Sequence, residues 1–472
     1  MAKSMITCIY MLITAILSRP TKNLSWISSL AVGRAIILKR NHLISTVRRT
    51  MTSQLNEDTA KDILPVSKFL SEQIAIYRSQ SETVKYHLFV GNEAADADSI
   101  VSALATAHLT YLNDRQTDAY LHKAYLPLVS VPKEEYPLRK EVETLLNFAG
   151  VKMSDILSLH DLTLPPTLLH PIDITLVDHN TPTPLFSSKL LYYPHEVVQI
   201  FDHHKDLGGF GHLPAYRRVI AFDSTLNKAT AASTCTLIFE AFSACKIVLS
   251  HDVALLLCGV ILLDSLNLDP KACKATDRDH IAVNSLNQLL SAGYLLNYTF
   301  STPLSLFSTL NEIKTDRSYW LSLSTQNILK YDYKLFTASQ GDHTVRIGMS
   351  SVMLPVADLL TREGCMDIMS VFMRTHQLYV LVLMTIYSVG AATDAKSELV
   401  REIALLGSDS SRVQSLYAHL HAYSGGDLHL TSLAHIPGSD KELVVMAARQ
   451  GNIKASRKQI APIVVDYFET NK

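Results

Sequence analysis

Asp202, His203 and His204 stand together at the end of an apolar run, Val197-Val198-Gln199-Ile200-Phe201. The run reads as a buried parallel strand, and open α/β sheets hold ligands at the carboxyl ends of such strands. One carboxylate beside two imidazoles suits manganese, zinc or iron. A short Asp-His-His also arises by chance, so the reading turns on whether other strand ends deliver acids. They do. Tyr86 to Val90 is an apolar strand, and Gly91 turns it into a loop carrying Asn92, Asp96 and Asp98. Ile172 to Val177 is another, ending in Asp178. His251 to Leu268 reads as an apolar helix with Asp264 inside it, where a lone carboxylate costs several kcal/mol unless paired or bound to a cation. Asp96, Asp98, Asp178, His203 and Asp264 together could cage two divalent ions, an arrangement that supports in-line displacement at phosphorus. Oxygen and imidazole donors favour Mn²⁺ or Mg²⁺ over thiolate-seeking metals. The plainer reading makes Asp96 a helix N-cap. His179, beside Asp178, is either a supporting donor or a satisfied core histidine.

The elements that must position these residues alternate. A helix over Ile100 to Leu112 follows the first strand, and a fourth strand over Arg218 to Phe222 precedes a helix from Lys228 to Ala244. This is an α/β pattern with a parallel sheet, spanning residues 82–300. After a hinge at Thr302-Pro303-Leu304-Ser305, a smaller α/β domain over 301–467 is expected, with strands at Thr344–Met349, Tyr379–Met384 and Leu443–Met446. Helices are expected around Val356–Leu360 and Lys396–Leu406. Near its end lies the basic cluster Lys454, Arg457 and Lys458, whose plain reading is a solvated face. Lys274 and Arg139 are isolated cations near the acidic stretches.

At 472 residues, 47% hydrophobic and 18% charged, the chain has a core to fill and is too long for one ordinary domain. A net charge of −1, no basic stripe and no aromatic stacking platform argue against a nucleic-acid partner. Six cysteines without Cys-x-x-Cys spacing suggest reduced, intracellular usage. Residues 1–56 hold no acid but carry Lys3, Arg19, Lys22, Arg34, Lys39, Arg40, Arg48 and Arg49. Such a leader resembles a mitochondrial transit peptide and points to the matrix. Met5–Leu17 offers a competing signal-peptide reading, and a start at Met51 would give a cytoplasmic protein. No stable membrane insertion of the mature chain is expected.

Four stretches carry a family resemblance: Gly-Asn-Glu-Ala-Ala-Asp-Ala-Asp-Ser-Ile (91–100), Leu-Val-Asp-His-Asn (176–180), Phe-Asp-His-His (201–204) and Leu-Leu-Asp-Ser-Leu-Asn (262–267). In order, they resemble the motifs of the DHH phosphoesterase superfamily. The branch implied carries a DHHA2 second domain and includes manganese-dependent inorganic pyrophosphatases, eukaryotic exopolyphosphatases and prune-type proteins. The resemblance covers roughly residues 82–467 and implies an active site in the cleft between the domains. It implies Asp96, Asp98, Asp178, His203 and Asp264 as ligands of two ions, with Asp178 bridging them. His204 would meet the substrate phosphate and Asp202 would orient His203. Asn92 stands where pyrophosphatases place a histidine ligand, which implies a site less selective for manganese and more tolerant of Mg²⁺. Ser456-Arg457-Lys458 resembles the motif that closes over substrate phosphates, so Asn92, Arg457, Lys458, Lys454 and Lys274 form the expected substrate side. The implied activity is that of an exopolyphosphatase releasing orthophosphate from inorganic polyphosphate. The alternatives are a pyrophosphatase, a nucleotide phosphodiesterase or a prune-like binding protein without catalysis.

Overall fold

Buried positions alternate along the first strands, and that alternation builds the larger core. In β1 (Lys85–Val90), Tyr86, Leu88 and Val90 enter one apolar cluster while Phe89 enters another. Apolar residues on both faces are what a parallel sheet needs when it is covered on both sides. The computed structural model describes residues 64–292, 303–340, 343–389, 398–423, 428–433 and 443–470. The expected leader over 1–56 and Thr302 of the expected hinge lie outside them.

From Leu64 onward the chain is one compact unit with two lobes. The first opens with α1 (Val66–Arg78), β1, α2 (Ala97–Arg115), β2 (Lys123–Val129), α3 (Lys140–Phe148) and β3 (Leu157–Ser158). It continues through β4 (Ile172–Val177), α4 (Pro184–Lys189), β5 (His195–Asp202) and β6 (Arg218–Ile220). A two-stranded ribbon, β7 (Phe222–Asp223) and β8 (Lys228–Ala229), precedes α5 (Thr234–Cys245), α6 (His251–Asp264) and α7 (Asp277–Ala292). The six main strands run parallel in the order β3-β2-β1-β4-β5-β6. The order reverses between β1 and β4, and crevices at such switch points hold the ligands of doubly wound sheets. In β5 the pairing with β4 slips by one residue at Val198. Val197 and Ile200 therefore share one face and Phe201 turns to the other, toward α2 and α5.

The next helix, α8 (Pro303–Thr315), packs Leu306 and Leu310 into the core of the first lobe. The second lobe then runs through α9 (Arg317–Ser322), α10 (Thr325–Lys330), β9 (Tyr333–Gln340), β10 (His343–Val352), α11 (Val356–Leu360) and α12 (Cys365–Thr375). It ends with β11 (Val380–Val389), β12 (Glu398–Gly407), α13 (Ser410–Ala422), β13 (Leu430–Ser432), β14 (Val444–Gln450) and α14 (Arg457–Thr470). Its sheet has the order β13-β14-β12-β11-β10-β9 and is mixed, only β10 and β11 being parallel.

Three expected helices are corrected. The segment read as a helix over Lys396–Leu406 is, from Glu398 on, the inner strand β12, because pairing with β11 and β14 buries both of its faces, and its first two residues lie outside the described ones. Residues 228–233 are ribbon and loop, and the helix starts at Thr234 after the Ser233 cap. The apolar helix stops at Asp264, since Leu266, Asn267 and Leu268 all take positive φ, between 52° and 59°. Among the described residues no helix is long and apolar enough to cross a membrane.

Candidate active site

Motif residues meet at the β1/β4 switch point because the loop after β1 folds tightly onto α2. A Cβ on Gly91 would lie 2.6 Å from Ser99 Cβ, so only glycine fits this turn. Ser99 Oγ accepts from Asn92 N at 3.1 Å and donates to Asp178 Oδ2 at 2.8 Å. Asn92 Nδ2 donates to the same Asp178 oxygen at 2.6 Å, while Asn92 Oδ1 accepts from Ala94 N at 2.9 Å. Asn92 is thus buried against Asp178, its amide nitrogen on that carboxylate and its oxygen on the Ala94 N–H of its own loop. Asp178 itself sits just past β4 at φ 61°, a conformation that Asp tolerates.

Asp98 reaches across to the amino end of α5. Its carboxylate accepts from Ser233 Oγ at 2.7 Å, Thr234 N at 2.8 Å and Cys235 N at 3.1 Å, where the helix dipole favours an anion. The Ala231–Thr234 loop is held in turn by the buried Asp279, which accepts from Ala232 N and Thr236 Oγ1. His203 Nδ1 bonds Ala231 O at 3.1 Å, and Lys458 Nζ lies 2.9 Å from His203 Nε2. An ammonium only donates, so Nε2 carries the lone pair and Nδ1 the proton. That Nε2 is 3.5 Å from Asp98 Oδ2 and 3.4 Å from Asp178 Oδ1.

Asp202 orients the other histidine. Its Oδ1 accepts from His204 Nδ1 at 2.8 Å and from His204 N at 3.1 Å, so the expectation that it orients His203 is corrected. The strand ends at Asp202, and the backbone turn there folds His204 back onto it. Asn180 Nδ2 holds Asp202 Oδ2 at 2.5 Å, and Asn180 Oδ1 accepts from Leu207 N at 3.0 Å. Ligand atoms of Asp178, His203 and His204 all lie within 4.8 Å of one another. His179 turns Nδ1 to Val177 O at 2.9 Å, and its buried Nε2 has no partner among the described residues.

Burial and mutual repulsion set the charges. Burial, with Asp178 close by, pushes the Asp98 carboxyl up to about 6. Burial and Asp96 push Asp178 up to about 7. Asp264 is driven well above the carboxylate range by burial and by Asp98, and its buried Oδ2 has no partner among the described residues. Burial lifts Asp96 too, but Lys334, the Ser99 N–H, Lys314 and Arg457 outweigh it and hold the carboxyl low. Asp96 also serves as the N-cap of α2. Asp202 is held low against burial, chiefly by His204. Burial and Lys458 drop His203 to about 4 and His204 well below its ordinary value, so both rings are neutral at neutral pH. Repelling carboxyls, an orphaned carboxylate oxygen and an imidazole lone pair aimed among them are what a divalent cation would satisfy.

Both lobes bring cations to this rim. Arg457 donates to Asp332 O and Oδ1, both at 2.7 Å. Lys314 stays charged although buried, because Glu141, Asp264, Asp332 and Asp96 outweigh desolvation. Lys334 acts on Asp96 and Asp178. Lys274 is half-buried near Asp264, and burial lowers it to about 8. Lys454 Nζ lies 3.1 Å from Cys273 Sγ. Arg139, expected as a polyanion contact, is buried and donates from its guanidinium to Ala94 O, Ala95 O and Glu135 O at 2.5, 2.6 and 3.1 Å, holding the loop after β1. Ser99, Asn180, Ser233, Asp279, Lys314, Lys334 and Asp332 were not singled out in the sequence. Ser99 and Asn180 sit inside the motif stretches and could have been, whereas no local pattern marks the others.

Known proteins resemble this chain in sequence. Residues 88–260 match the family described as "DHH family, N-terminal domain", and residues 311–467 match "DHHA2 domain". The human protein "Exopolyphosphatase PRUNE1" is 27% identical over 401 residues, covering 83% of this chain and 78% of its own. Its counterpart from Bos taurus is 26% identical over 397 residues, covering 82% and 78%. A Methanococcus jannaschii crystal structure, described as a "putative family II inorganic pyrophosphatase", superposes with a TM-score of 0.48 at 20% identity, over 81% of this chain and 99% of that one.

Proposed function

Because the chain belongs to the DHH family and carries a carboxy-terminal DHHA2 domain, we propose that it is a metal-dependent exopolyphosphatase, releasing orthophosphate from the ends of linear inorganic polyphosphate. The observation that carries this reading is the contact of Lys458 with His203 at 2.9 Å. A phosphate-binding cation of one lobe there touches an acid-and-imidazole cluster of the other. Exopolyphosphatases among the relatives support the substrate class.

Asp96, Asp98, Asp178, His203 and Asp264 would hold two divalent ions, Mn²⁺ or Mg²⁺, which supply Lewis-acid charge and a water of lowered pKa. The chain's own residues do the rest. Arg457, oriented by Asp332, offers a planar fork to phosphate oxygens, and Lys458, Lys314 and Lys334 add point charges. With Nδ1–H fixed on Asp202, His204 presents Nε2 as the atom that takes up or delivers a proton beside the terminal phosphate. Asp202, held low, stabilises the imidazolium that this transfer forms. Asn92 keeps the Asp178 carboxylate in place by its bond to Oδ2.

The test is phosphate release from long-chain polyphosphate, tripolyphosphate and pyrophosphate in parallel, each with Mg²⁺ or Mn²⁺. Cleavage of the long chain with pyrophosphate a poor substrate is expected. Asp178→Ala and His203→Ala should lose nearly all turnover with the circular dichroism spectrum retained. Preference for pyrophosphate would replace the substrate reading, and full turnover by a folded Asp178→Ala would remove the metal assignment.

A further inference from the structure

Arg401 on β12 is only 9% exposed, yet its single side-chain hydrogen bond among the described residues is from Nε to Ile453 O at 2.7 Å. Other arginines in the fold are matched: Arg139 by backbone carbonyls, Arg218 by Asp206, Arg278 by Glu240 and Arg457 by Asp332. The two terminal nitrogens of Arg401 have no carboxylate within ion-pair distance among the described residues. Burying a guanidinium unpaired is unfavourable, and burial alone lowers its proton affinity to about 10.

The surroundings add cations instead of acids. Arg401 pairs in the sheet with Gln450, whose Nε2 holds Asn452 O at 2.5 Å and Ala455 O at 2.7 Å. The 451–456 loop is therefore pinned, with Lys454 reaching Cys273 Sγ at 3.1 Å in the other lobe. Lys274, the residue after that cysteine, is lowered first by burial, is favoured by Asp264, and feels Lys458, Arg401 and Lys314 as repelling charges. Side chains from both lobes thus converge beside Lys458.

We propose that Arg401, Lys274 and Lys454 form a second anion subsite, which takes the phosphates beyond the first two of the chain and so selects chains of three or more phosphates. This assignment rests on the polyphosphate reading above. Arg457 and Lys458 grip the first two phosphates, the reacting one and the one that leaves; pyrophosphate ends there, whereas a longer anion carries its remaining charges on to Arg401 and the two lysines. A phosphate oxygen supplies the acceptors that the Arg401 fork lacks in the protein.

The experiment uses full-length protein with Arg401→Gln, and with Lys454→Gln, an exposed position whose substitution leaves the core untouched. Each should raise KM for long-chain polyphosphate about tenfold or more, the loss of one charge-assisted contact, with kcat retained. The change for pyrophosphate should be several-fold smaller. In chelator-treated protein, the anisotropy of fluorescently labelled polyphosphate should report binding about tenfold weaker in both variants. Equal losses on all three substrates, or unchanged KM and unchanged binding, would overturn the subsite. If the wild type binds polyphosphate through Arg401 but hydrolyses none, the subsite stands and the proposed activity falls. If it hydrolyses polyphosphate with both variants unimpaired, the activity stands and the subsite falls. Absence of both binding and hydrolysis ends both.

Discussion

Binding of divalent cations should expel protons from the acidic cluster, and their number follows from the carboxyl groups. Asp98 is pushed up to about 6 and Asp178 up to about 7. At about pH 6.5 these values leave Asp98 roughly one quarter and Asp178 roughly three quarters protonated, together about one proton. Asp264, pushed further up, adds at most about one more. His203 and His204 are both lowered and add none. At about pH 8.5 the first two carry only a few hundredths of a proton, so only the share of Asp264 remains. Calorimetric titration of Mn²⁺ or Mg²⁺ into chelator-treated protein, repeated in buffers of different ionisation enthalpy, counts the release directly. Between about one and two protons should leave per chain at pH 6.5, and about one fewer at pH 8.5. Release that does not change with pH, or uptake in its place, would refute the arrangement. Asp98, Asp178 and Asp264 also link to stability. Their folded pKa values lie above the unfolded ones, so between about pH 4 and pH 7 each binds more protons folded than unfolded, whereas His203 and His204, both lowered, bind fewer. The share of the stability that these three carboxyls contribute should therefore decline as pH rises through that window, and saturating cation should remove that share.

Gly91→Ala would place a Cβ 2.6 Å from Ser99 Cβ and 2.9 Å from Ser99 O, displacing a donor to Asp178. A loss of about 1–3 kcal/mol in urea unfolding is expected, and an unchanged midpoint would contradict the tight turn. Arg139→Met would strand Ala94 O and Ala95 O in the interior at about 3 kcal/mol or more, with Arg139→Lys recovering part of it in the same assay. Asp332→Asn removes the charged partner of Arg457, so kcat/KM for polyphosphate should fall about tenfold with the circular dichroism spectrum intact. Undiminished turnover would show that Arg457 needs no such orientation.

The acids were legible in the sequence because each follows an element whose pattern is local. Two-faced apolar runs announce β1, β4 and β5; Asp178 and His203 directly follow the last two, and Asp98 lies one short loop beyond the first. What grips the acids was hidden, since it comes from far along the chain. Ser233, Thr234 and Cys235 hold Asp98 from 135 to 137 residues away, out of a stretch whose small residues imitate a helix. Glu398–Gly407 imitates one too, and only pairing with β11 and β14 makes it a strand. The choice of His204 over His203 as the partner of Asp202 depends on where the strand ends, which no spacing of adjacent residues reveals. Cations are hidden most deeply, because a lysine on a helix or strand looks solvated until its neighbours are known. Lys314, Lys334 and Arg401 come from α8, β9 and β12, elements with no motif in common. Metal ligation must be concentrated, since an ion needs several donors at fixed short distances, and it therefore leaves compact motifs. A polyanion can be held by charges spread along its length, each needing only to face the cleft. Such a grip would leave little trace in sequence, and the proposed specificity among phosphate chains is accordingly the part of the reading that rests on the fold alone.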